Sequence, residues 1–301
     1  MHLRHIFTLF ASQAPKRLPS VVPESSGRVE YTRPELHQSG VHKLAEAFFP
    51  GAQTGQDVLL KCLKTLDCHG FNKDNTLVAL SVCPDEINHK VGDITDLLHS
   101  HFGCEFHLGG LGGIPFTGKT GFSAFSNHVR EKDGNCFVLM APHIGLSNAK
   151  HLGMYTTDAN KERSACGAAI GALQYCLSDK ETPGLDDEAD DYQMEYIIQQ
   201  ISQCQDEIVL PDSDNAIQAT LAHKMWKIGK NKLDHIVNTD FGGPRSKLVV
   251  MTGVMINMPI PHRDLFQPLT FELYLKDGTV LNVFEETFGY HNPRIATNLK
   301  P

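Results

Sequence analysis

Apolar and polar positions fall into blocks that separate short buried strands from amphipathic helices. TLVALSV (76–82), CFVLMA (136–141) and KLVVMTGVMI (247–256) are continuous apolar runs bounded by turn residues. Runs of this length, rich in β-formers, predict strands buried on both faces. Elsewhere the spacing becomes helical. Val58, Leu59, Cys62, Leu63 and Leu66 share one face of a helix over 55–68, and Ile87, Val91, Ile94, Leu97 and Leu98 predict a second over 86–102. FSAFSNHV reads as a short helix after a glycine-dominated stretch, 106–121. Ser164 is placed to cap a helix running through CGAAIGALQYCL, and two more helices are expected at 190–203 and 215–237. Asp277-Gly278 stands between β-rich segments in FELYLKDGTVLNVFEE, the signature of a hairpin.

Strands alternating with helices predict an α/β fold with a largely parallel central sheet flanked by helices, closed by a C-terminal β-hairpin. Residues 41–301 read as a single domain, and 20–40, rich in Pro, Ser, Glu and Gly, as a linker. No repeat of solenoid period is present. In open parallel sheets, ligands bind beyond the carboxyl ends of the strands. Cys83 and Asp85 follow the first such strand and His143 the second.

Composition narrows the class. A formal net charge of -8 over 301 residues leaves no cationic footprint for nucleic acid. No apolar run is long enough to span a bilayer. The eight cysteines are dispersed, several of them in apolar runs, so free thiols and a reducing compartment are expected rather than a disulfide framework. The first residues carry Arg4, Lys16 and Arg17 and no acid before Glu24. That composition predicts a transit-like segment within 1–40 and an organelle, mitochondrion or plastid, as destination. A plain N-terminus would leave the protein cytoplasmic.

Cys83-Pro84-Asp85 places a thiol and a carboxylate two residues apart, on one side of extended backbone. His143 follows Pro142 at a strand end, and Cys166 stands at an expected helix start, where a thiolate is favoured. Two thiolates and one imidazole suit zinc and leave a fourth position for water. Spacing alone leaves other readings open. A single Cys is commonly a small buried hydrophobe, and Asp85 could cap a helix starting at Glu86.

Longer motifs go further. SVCPDEINH, GGLGGIPFTGKTGFSAFSNHV, APHIG, CGAAIGAL and VVMTGVMINMP occur in that order across roughly residues 75–260. They resemble the limiting-CO2-inducible B/C family of β-like carbonic anhydrases. The resemblance implies a homodimer, zinc on Cys83, His143 and Cys166, and an Asp–Arg pair with Asp85 as its acid. It implies reversible hydration of CO2 to bicarbonate by zinc-bound hydroxide. An arginine is expected just after C-x-D-E-x-N, where this chain has His89. Arg163 is therefore taken as the cation, with Arg130 as the second candidate. Phe116, Phe122 and Phe125 could line a CO2 pocket or simply fill the core, and His128 is a candidate proton shuttle.

Two other functions are carried alongside. A zinc-containing binding or assembly protein of the same family with little catalysis fits the His89 departure. Gly113–Thr120 also matches G-x-x-x-x-G-K-[ST], a phosphate-binding loop when it follows a strand and opens a helix.

Overall fold

Thr76–Val82 and Asn135–Ala141 lie side by side and parallel, and their alternate side chains face opposite layers of the molecule. The computed structural model describes residues 39–289, apart from 104, 131–133, 158, 179, 185–190, 238 and 239. The transit-like stretch and most of the acidic run at 184–191 lie outside the described residues.

In chain order the elements are α1 (Gly40–Phe48), β1 (Gln53–Thr54), α2 (Gly55–Cys68), β2 (Thr76–Val82), α3 (Ile94–Phe102), β3 (Glu105–His107), α4 (Gly118–Arg130), β4 (Asn135–Ala141), β5 (His143–Gly145) and β6 (Met154–Thr156). They continue with β7 (Glu162–Ser164), α5 (Gly167–Cys176), α6 (Tyr192–Ser202), α7 (Gln205–Val209), α8 (Asp214–Ile236), β8 (Leu248–Asn257), β9 (Leu265–Tyr274), β10 (Val280–Asn282) and α9 (Phe284–Phe288). The main sheet runs β1-β9-β8-β4-β2-β3, with β5 beside β8 and β10 beside β9. Strands β3, β2, β4, β8 and β5 pair in parallel, whereas β9 runs antiparallel to β8, β1 and β10. The expected α/β architecture and C-terminal hairpin are both present. At the hairpin turn Gly278 adopts φ +88 and Thr279 N–H donates to Asp277 Oδ1 at 2.8 Å.

Each strand face has its own core. Val78, Leu80, Phe137, Leu139, Val249 and Met251 meet α2, α3 and α9. Ala79, Cys136, Val138, Met140 and Val250 meet α4 and α8, with Phe122 and Phe125 fully buried among them. Burial on both faces explains why these strands read as unbroken apolar runs.

The helix expected over 86–102 divides in two. Glu86–Asn88 makes one 3-10 turn, and α3 begins only at Ile94. Gly92 at φ +86 breaks the path, and Asp93 starts the new helix by accepting from Asp96 N–H at 2.8 Å. Val91 is consequently 96% exposed rather than on a buried face. Helix α4 begins at Gly118, four residues before Phe122, which opens FSAFSNHV.

Candidate metal centre

Cys83 directly follows β2, His143 opens β5 after the β4 strand ends, and Cys166 caps α5. Ser164, expected as that cap, lies instead in β7, because the β6–β7 hairpin extends the chain up to residue 164. The hairpin is tied to β5: Gly145 N–H donates to Ala165 O at 2.8 Å, and Ala165 N–H to Gly153 O at 2.9 Å. Gly145 permits this, since a Cβ there would stand 2.7 Å from Met154 O.

The strand ends thus bring together three donors that are far apart in sequence. One ligand atom each from Cys83, His143 and Cys166 falls within 4.8 Å of the others, and all three residues are buried. Among the described residues, this is the one group of His, Cys, Asp and Glu gathered so tightly. The Cys83 and Cys166 sulfurs are 3.9 Å apart. A disulfide would need about 2.05 Å. Two sulfurs bound tetrahedrally to one zinc, at about 2.3 Å each, would be separated by about 3.8 Å. His143 Nε2 is buried with no hydrogen-bond partner. A buried ring nitrogen left unpaired is costly unless something else occupies its lone pair. The donor set therefore fits a metal ion.

Charge is distributed to suit a cation. The neighbouring Cys83 thiol, helped by the Ala169 and Ala168 N–H groups at the start of α5, lowers the Cys166 thiol to about 7 against the effect of burial. Cys83 is raised, first by its contact with Cys166 and then by burial. Burial disfavours a charge on His143, but Cys83 and Asn257 outweigh it and its pKa is raised.

Asp85 stands at the mouth. One carboxylate oxygen caps the 3-10 turn, accepting from Ile87 N–H at 3.4 Å, and the other lies 3.7 Å from His143 Nε2. Asp85 thus caps a helical turn and faces the donor trio at once. Beyond it opens a cleft of about 800 Å³ whose lining includes Asp85, Glu86, Lys90, Lys161 and Arg163.

The sequence model of the limiting CO2-inducible proteins B/C beta carbonic anhydrases matches residues 52–275. The chain belongs to this family. It is similar to the crystal structure of PtLCIB4, a homolog of the limiting CO2-inducible protein LCIB, with TM-score 0.71 and 23% identity over 80% of this chain and 98% of that one. It is also similar to the crystal structure of the limiting CO2-inducible protein LCIB itself, with TM-score 0.56 and 19% identity over 78% and 95%. No curated protein matches the chain significantly.

The other residues singled out in this family member are dispersed. Arg163 is exposed in β7 and shares the cleft with Asp85, but no hydrogen bond or ion pair joins the two. Arg130 closes α4, and its side chain lies outside the described residues. His89 is exposed at the end of the 3-10 turn. Phe116 packs against the cluster containing Cys83 and Cys166. Phe122 and Phe125 do not, because they fill the layer between α4 and the sheet. His128 is exposed on α4, its ring 6.0 Å from that of Phe106.

The glycines of the 106–121 stretch serve close approach. A Cβ on Gly109 would stand 2.4 Å from Val82 O, and one on Gly113 2.3 Å from Ala141 O. The loop is pressed onto the ends of β2 and β4, with Ser81 Oγ donating to Gly113 O at 2.9 Å. A 3-10 turn at Leu111–Gly113, rather than a strand, leads into the phosphate-loop-like sequence.

Sequence reasoning passed over Asn88 and Asn257, both fully buried beside the donors. Asn257 carried a signal. It is a lone amide at the carboxyl end of an apolar strand, where parallel sheets place their ligands.

Proposed function

We propose that this protein catalyses the reversible hydration of CO2 to bicarbonate at a zinc ion held by Cys83, His143 and Cys166. The observation that carries the reading is the buried donor trio, with its unpartnered His143 Nε2 and with Asp85 facing it, in a chain of this family. When bound, zinc supplies a Lewis acid that turns water into a nucleophile near neutral pH.

The chain's own residues supply the rest. Two thiolates and a neutral imidazole cancel the dication's formal charge, so the site acidifies water less strongly than one of three histidines. Asp85 offsets that: its Oδ2 accepts and orients a proton of the reacting water. Arg163, across the cleft, steadies the Asp85 carboxylate and the bicarbonate product. The proton released leaves through the cleft to solvent. The site works in a homodimer, and the N-terminal segment directs the protein to an organelle. Removing metal with a chelator should abolish CO2 hydration, and restoring one zinc per chain should recover it. Activity unaffected by complete metal removal would refute the reading.

One observation favours a second reading. Among the described residues no Lys or Arg side chain is paired with Asp85, whose near neighbour is His143 Nε2 at 3.7 Å, and His89 stands where an arginine is expected. A zinc-holding binding or assembly protein with weak catalysis would show intact metal and no hydration, even with its partner present.

A further inference from the structure

The buried amide of Asn257 connects parts of the site that are far apart in sequence. It ends β8, where the parallel register sets Asn257 opposite Gly145 and Met255 opposite His143. Leu146 N–H donates to Asn257 O at 3.0 Å and fixes the backbone. Its side-chain NH2 faces three acceptors: Ile87 O at 3.2 Å, Asn88 Oδ1 at 3.2 Å and Asp264 Oδ2 at 3.3 Å. The Asn88 amide is itself oriented, because its NH2 donates to Cys83 O at 3.2 Å. Asp264 is held by Met258 N–H at 2.7 Å and Lys90 Nζ at 3.3 Å.

These partners settle which end of the amide points where. With NH2 toward three acceptors, Oδ1 points at His143 Nδ1, 2.9 Å away. An acceptor requires a donor opposite, so Nδ1 carries a proton. A neutral imidazole has only one, which leaves Nε2 as a bare lone pair in the site where the donor atoms of Cys83 and Cys166 gather. The opposite tautomer would set two lone pairs against each other inside the protein.

We propose that Asn257 is a positioning residue for the metal centre: it fixes His143 as an Nε2 ligand and holds the Asp85 turn in register with it. The inference rests on the proposed metal site. The Asp85 turn is bonded to Asn257 through Ile87 O and Asn88 Oδ1, and Asn88 in turn holds the carbonyl of Cys83. Two metal donors and the acidic residue between them are therefore registered by one amide.

Two measurements on the full-length chain test this. The first is zinc affinity, read by competition with a chromophoric chelator, for wild type and Asn257→Leu. Loss of an outer partner of a metal-binding histidine costs about 10- to 100-fold in affinity, and that loss is expected here. The second is nitrogen-15 NMR of the zinc-loaded wild type, which needs no variant to fold. The expected spectrum has the His143 proton on Nδ1 and zinc on Nε2. A folded Asn257→Leu protein that binds zinc as tightly as wild type would overturn the proposal. So would a His143 proton on Nε2. A wild-type chain that takes up no zinc would refute the metal site itself, and this inference with it.

Discussion

The sulfur atoms of Cys83 and Cys166 lie 3.9 Å apart, although 83 residues separate them in the chain. Nothing local brings them together. One follows a sheet strand and the other begins a helix, and the chain between them runs through β4 and β5 and ends in the β6–β7 hairpin that leads into Cys166. If the pair exists to hold metal, either serine variant, Cys83→Ser or Cys166→Ser, should drop zinc from about one per chain to a small fraction of that. Elemental analysis of the purified protein measures this directly. Full zinc occupancy in either variant would contradict the assignment.

Asp85 should matter to turnover and not to metal content. Asp85→Asn keeps the cap on the 3-10 turn and removes the proton acceptor. Hydration should fall about 10²-fold or more, the usual scale for a lost acid–base group, with zinc unchanged. Loss of zinc together with activity would make Asp85 a metal ligand instead.

Arg163 is the less secured partner, since it shares the cleft but makes no bond to Asp85. Arg163→Ala should lower kcat about 10- to 100-fold while leaving zinc bound, if it steadies Asp85 during the reaction. Full turnover in this variant would remove it from the mechanism.

The three core strands were legible because burial on both faces leaves an unmistakable apolar run. Helix α2 was legible to the residue, since its apolar face repeats regularly and Thr54 caps it. The break at Gly92 was not, because Val91 kept the apolar period going although it faces solvent. The short strands β5, β6 and β7, each of three residues, are too brief to carry a pattern. At the site, Cys83, His143 and Cys166 came from motif resemblance; their spacing alone could not select them from eight cysteines and sixteen histidines. Asn257 was hidden because a single polar residue at a strand end reads as the strand's boundary.

Of the three phenylalanines considered for the pocket, Phe116 alone packs against the cluster containing Cys83 and Cys166. Phe122 and Phe125 are core residues between α4 and the sheet. Phe122→Ala should destabilise the fold by about 3–5 kcal/mol, the cost of emptying a large core site. The folded fraction should retain its zinc. Denaturant unfolding and metal analysis of the same sample test both statements.

Asp93 gives the fold a pH signature away from the metal donors. Burial raises its carboxyl to about 6, against bonds from Asp96 N–H and Thr95. A carboxyl raised on folding favours the protonated native state. Its stabilising effect is therefore complete below its unfolded value, near 4, and is lost as pH rises through about 6. Asp93→Asn keeps a capping oxygen and cannot ionise. The stability of the variant relative to wild type should increase from pH 4 to pH 7, measured by urea unfolding. A difference that stays flat over that interval would contradict the account.

The most direct test of the central claim is stopped-flow CO2 hydration by the full chain, with zinc quantified in the same preparation. The account predicts about one zinc per chain, as three shared ligands require, and hydration well above the buffer rate that disappears in Cys83→Ser. Zinc at that level with no hydration above buffer would contradict the enzyme and leave a metal-holding binding protein.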